Sequence, residues 1–155
     1  MQSIVDARIA GIDRDELPDE NLKSLYDYYM ALAAERFPPR RESFDPARVT
    51  RVLPWLVIYN IEQNPRRYHI RLQGTGIVEA IGGEGTGHYL DEYPGMTESI
   101  QRLDQLVELA RPYFVKNLPM PWAVRDYKLH HLLALPFSSN GATVDSIILG
   151  LSFAK

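Results

Sequence analysis

The chain has 155 residues, 45% of them hydrophobic, and a formal net charge of −3 from 17 basic and 20 acidic side chains. Length and apolar content suit one folded domain rather than a disordered chain, and the absence of cysteine excludes disulfides, thiolate metal sites and thiol nucleophiles. The slightly acidic balance argues against a sequence-independent nucleic-acid binder; no apolar run nears the roughly 18 residues of a membrane span, and Asp6, Arg8, Asp13 and Arg14 interrupt any signal-peptide core, so a soluble cytoplasmic protein is expected.

Residues 1–17 show no clean period and read as an arm. From Asp19 to Arg36, Leu22, Leu25, Tyr26, Tyr29, Leu32, Ala33 and Phe37 recur at spacings of three and four, which predicts one apolar stripe on a helix. Pro38 and Pro39 stop it. The stripe must pack on something, either the chain's own sheet or the same helix of a second copy. Asp45-Pro46 predicts a short helical turn, with Asp45 as cap and Pro46 at the first position. Trp55 to Ile61 is dense in β-branched and aromatic residues and reads as the first strand. After a turn at Gln63-Asn64-Pro65 comes a second strand from Tyr68 to Gln73. Strict alternation there puts Tyr68, Ile70 and Leu72 on one face and His69, Arg71 and Gln73 on the other.

Gly74-Thr75-Gly76 opens one or two helical turns through Ile81, and Gly82, Gly83, Gly85 and Gly87 then prevent regular structure. Thr97 is expected to cap a helix that buries Ile100, Leu103, Leu106, Val107 and Ala110 and ends by Pro112. Three strands follow, at Tyr113 to Leu118, Arg125 to Phe137 and Val144 to Phe153, the last two joined through Ser138-Ser139-Asn140-Gly141, whose Asn-Gly pair favours a hairpin. Five antiparallel strands interrupted by helices predict an α+β fold.

Several segments carry a resemblance. Pro39-Arg40-Arg41-Glu42-Ser43-Phe44-Asp45-Pro46 running to Leu53-Pro54, the strand ending Arg71-Leu72-Gln73-Gly74-Thr75, the loop Gly83-Glu84-Gly85-Thr86-Gly87, and the hairpin Leu133-Ala134-Leu135-Pro136 with Val144-Asp145 and Leu149-Gly150 come in an order similar to a bacterial family of stand-alone PAS-like domains. The resemblance covers about residues 20 to 153. It implies a PAS-like five-stranded antiparallel sheet with helices on one face, plus the N-terminal amphipathic helix. Residues 1–37 would be arm and helix, and 38–155 the PAS-like domain. It also implies a sensory or regulatory setting without naming a ligand or cofactor.

Catalytic motifs fail. Glu79 stands where a dinucleotide fingerprint beginning at Gly74 needs its third glycine, and neither a phosphate-binding loop nor a serine elbow is present. His130 and His131 are adjacent on a strand and point to opposite faces, so no metal site is expected. His88, in the glycine segment, is the better-placed ligand candidate. Arg71, in mid-strand, requires a partner: either a carboxylate such as Glu79 or Asp91, or an acidic small molecule. Tyr59, Tyr68, Trp122 and Tyr127 would line a pocket beside it, or simply pack a core. Leu22, Leu25, Tyr26, Tyr29 and Leu32 are the dimerisation candidates.

The expected function is a non-enzymatic PAS-type module that binds a small molecule or a partner protein. It would act as a homodimer or through a separate signalling protein, because the last strand ends at the chain's end and leaves no output segment. A dimerisation module with a filled core, and a small enzyme with an unrecognised site, are the alternatives.

Overall fold

The computed structural model describes residues 11–119 and 129–154. Helix α1, Glu20–Glu35, begins where Asp19 accepts a hydrogen bond from the Leu22 amide at 2.8 Å, filling an otherwise orphaned donor. The other carboxylate oxygen of Asp19 accepts from the Ser152 hydroxyl at 2.7 Å, which ties the start of the helix to the last strand. Asp45 likewise caps a 3-10 turn over Pro46–Val49, with the proline in its first turn.

The strands are β1 Leu56–Glu62, β2 Arg67–Gln73, β3 Tyr113–Pro119, β4 Leu129–Phe137 and β5 Ser146–Ala154. They form one antiparallel sheet in the order β2-β1-β5-β4-β3. Helices α2, Thr75–Ile81, and α3, Thr97–Leu109, lie between β2 and β3 in the chain. Thr97 does not cap α3 as expected. It is the first helical residue, Met96 holds the cap position, and no side chain closes the helix start. The β4–β5 connection runs from Ser138 to Asp145, longer than a two-residue hairpin. The Asn140 side-chain oxygen Oδ1 accepts from the Ala142 and Thr143 amides at 2.8 and 2.9 Å, so the asparagine folds a wider loop.

Strand alternation divides the core in two. Val57, Tyr59, Leu132, Ala134, Ile147, Leu149 and Leu151 face inward, against Ile77 of α2 and Leu103, Leu106 and Val107 of α3. Leu56, Ile58, Leu133, Leu135, Phe137 and Ile148 face outward, against Leu22, Leu25, Tyr29 and Ala33 of α1 and against Phe44, Val49 and Val52 of the connector. The stripe on α1 is thus buried in this chain's own outer core: Leu22 and Leu25 are 0% exposed and Tyr29 1%, while Tyr26 and Leu32 flank that core half-buried. The Tyr29 hydroxyl donates to the Pro136 carbonyl at 2.8 Å. Gly150 lets α1 come close, because a Cβ there would stand 2.5 Å from Leu25 Cδ2.

The alternation expected of β2 breaks. Tyr59 pairs with Ile70 but Ile58 pairs with Leu72, so a bulge leaves Arg71 unopposed. One extra residue exchanges the faces beyond it. Leu72 turns to the outer side and is 43% exposed, and Gln73 takes the inner side, where its side-chain Oε1 accepts from the Gly85 amide.

Candidate functional site

The inner layer is apolar except for a few groups. Tyr59 and Tyr68 come from paired strands β1 and β2, and their rings meet edge to face at 6.2 Å. Both hydroxyl pKa values are raised, first by burial. The Tyr68 hydroxyl donates to Asp104 of α3 at 2.5 Å, and that carboxylate pushes the phenol further up. Arg66 stands 3.8 Å from Asp104 and 3.5 Å from Glu108. Sheet and helix are therefore joined by a phenol–carboxylate–guanidinium chain at the rim of the inner layer.

Tyr113 enters the same layer from β3, its phenol pushed up to about 12 by burial and opposed by Arg102 of α3. His130 lies on the inner face of β4, 8% exposed and edge-on to Phe153 at 6.4 Å. Burial drives its imidazole down to about 4, so it is neutral at pH 7. His131 points to the other face, and its Nδ1 accepts from the Asn117 amide at 3.0 Å.

Of the four ligand candidates among the described residues, the structure brings together Tyr59 and Tyr68 and leaves Arg71 and His88 apart. Trp122 and Tyr127 lie outside the described residues. Arg71 is exposed at the bulge and forms no salt bridge among the described residues. Asp91, one expected partner, takes Arg67 instead through two hydrogen bonds of 2.8 Å, with the Arg67 guanidinium 3.7 Å over the Tyr89 ring. Freed from the sheet face by the bulge, Arg71 needs no buried counter-ion, and its charge is felt by Arg41, whose pKa is lowered by burial and then by Arg71. His88 is exposed on the loop that covers the outer edge of β2. Its carbonyl accepts from the Ile70 amide at 2.8 Å and its Nδ1 lies 3.4 Å from Glu92. Among the described residues, no group of three or more His, Asp or Glu side chains could hold a metal ion, and no helix is long and apolar enough to cross a membrane.

Asp104, Arg102, Tyr113 and Arg111 were not singled out by pattern. On α3, Arg102, Gln105, Leu106 and Leu109 stand three, four and seven residues apart and share one face. That face borders an open cleft of about 360 Å³ against β3, whose wall also includes Ile12, Arg111 and Phe114.

Strand order and the helices on the inner face define an α+β domain built on one five-stranded antiparallel sheet. A family model described as PAS domain matches residues 18–151, and the chain belongs to that family. No curated protein and no solved structure matches it.

Proposed function

We propose that this PAS domain is a non-catalytic sensor that takes a small molecule into the layer between the sheet's inner face and helices α2 and α3. The observation that carries this reading is the collection of Tyr59, Tyr113 and Arg102 in or beside an otherwise apolar layer, with the Arg102 Nε buried and without a hydrogen-bond partner among the described residues. A filled core would be cheaper to build from apolar side chains, because a buried polar group costs free energy unless it is hydrogen-bonded. An apolar wall with few polar groups is how small-molecule sites orient their ligands. Binding rather than chemistry is favoured by what the hydroxyl–carboxylate pairs do elsewhere. Ser152–Asp19 closes a helix start and Ser139–Asp145 closes the β4–β5 loop, both structural tasks. The Tyr68–Asp104 bond offers a route by which a change on the inner face reaches α3.

Thermal-shift screening of a broad metabolite panel tests the proposal, with Tyr59→Phe and Tyr113→Phe as companions. At least one compound is expected to raise the melting temperature of the unmodified chain by mass action and to lose much of that rise in a variant. A panel without a single shift, together with a native mass equal to two bare chains and no added compound, would favour the dimerisation module with a filled core.

A further inference from the structure

We propose that the cleft between α3 and β3 anchors an organic monocarboxylate with an apolar body, held at its head by Arg102 and Arg111. This names the ligand class of the sensing reading and rests on it. The cleft has a volume of about 360 Å³ and is open to solvent on one side, so it would hold the head and part of the body of a small ligand rather than enclose it. Its wall is mostly apolar, with Ile12, Leu106, Leu109, Phe114 and Val115 among its lining, and two arginines stand in it without a carboxylate among the described lining residues.

Neither arginine joins any ion pair among the described residues. The Arg102 Nε is buried with no hydrogen-bond partner among the described residues, while its Nη2 donates to the Ser99 hydroxyl at 3.2 Å and its guanidinium also acts on the Tyr113 hydroxyl. A guanidinium presents its donors as a planar fork that fits a carboxylate, and a buried donor left unmade is costly. Arg111 follows directly on the left-handed Ala110, φ 49°, that closes α3. Its guanidinium lies over Gly11, where a Cβ would meet Nη2 at 2.8 Å, so the backbone at Gly11 leaves room for that side chain. Leu109, 62% exposed on the same helix face, supplies the apolar surface for the ligand's body. Two cations beside an oily wall select against neutral molecules, which leave the guanidiniums unmatched, and against small inorganic anions, which leave the wall wet.

The test is methyl NMR of the full chain titrated with octanoate, kept below micelle formation, and with 1-octanol as the neutral counterpart. Saturable shifts at Leu106, Leu109 and Val115 are expected with octanoate, with the alcohol roughly tenfold weaker or more, the scale of a charged hydrogen bond. Arg111→Gln, at an exposed position, and Arg102→Gln should each weaken octanoate by about tenfold and leave the alcohol unchanged. Arg102→Lys should recover only part of the loss, because the fork is gone. Equal binding of acid and alcohol, unchanged octanoate affinity in Arg111→Gln, or shifts at Ile70, Leu103 and Ile147 in place of the cleft methyls would each overturn the proposal. If octanoate fails while a panel compound still binds the inner layer, the anchor falls and sensing stands. If neither binds, both fall.

Discussion

Replacing Gly150 by alanine tests whether α1 belongs to the sheet of its own chain. The added methyl would stand 2.5 Å from Leu25 Cδ2 and 2.8 Å from Leu22 Cδ2, against a comfortable carbon–carbon separation of about 3.5–4.0 Å. Something must therefore move by about 1 Å. Both leucines are 0% exposed, so neither can swing into solvent, and overpacking of this kind costs about 1–3 kcal/mol. With a urea m-value of about 2 kcal/mol/M, the midpoint should fall by about 0.5–1.5 M. Leu25→Ala alone should cost about 2–5 kcal/mol, by leaving a cavity. In the double variant the new methyl enters the space the leucine vacated. The combined loss should then fall short of the two single losses added together by about 1 kcal/mol or more, as coupled neighbours do. The midpoint should also be independent of protein concentration, as an intrachain contact requires. Losses that add within about 0.5 kcal/mol, or a midpoint that climbs with concentration, would refute packing of α1 on its own sheet.

Tyr29→Phe keeps the ring but removes the buried hydroxyl that donates to the Pro136 carbonyl. Stability measured by urea unfolding should drop by about 1–2 kcal/mol, since the acceptor is left unmatched, with secondary structure by circular dichroism unchanged. His130 sets a pH dependence: its folded pKa of about 4 lies below the usual value of 6.5, so the unfolded chain binds the extra proton between those limits. Stability is fully present above pH 6.5 and is lost as pH falls through that window. His130→Leu should flatten the melting temperature between pH 6.5 and pH 4 relative to the parent. An identical slope in both proteins would assign the dependence to other groups.

Much of the fold was legible because its signals are local. Asp19 before a helical stripe, Asp45-Pro46 before a turn, and the β-branched and aromatic run of β1 each say what they do without reference to distant residues. Strand β2 was legible only in part. Its sequence alternates without interruption through Leu72, so nothing local announces a bulge. The shift depends on the partner residues Ile58 and Tyr59 across the ladder, and Gln73 turns inward, where it meets the Gly85 amide. That one shift moved Arg71 and Leu72 away from their expected places. Tyr59 and Tyr68 could be found because large rings on adjoining strands are conspicuous. Arg102 and Arg111 could not, because a charged residue on a helix reads as a solvated one until the strand it faces is known. Whether the α1 stripe meets this sheet or another chain is likewise a tertiary fact, and the small residue that admits it, Gly150, lies 125 positions beyond Leu25 in the sequence.

Strand β5 is a partition one residue thick. Ile147, Leu149 and Leu151 press on one compartment, while Ile148, Gly150 and Ser152 form the wall of the other. With no padding between the two sides, the strand that backs the first compartment also touches Leu22, Leu25 and, through Ser152, the Asp19 cap of the leading helix. A substitution that reshapes this one strand is therefore felt by the interior and by the N-terminal helix together.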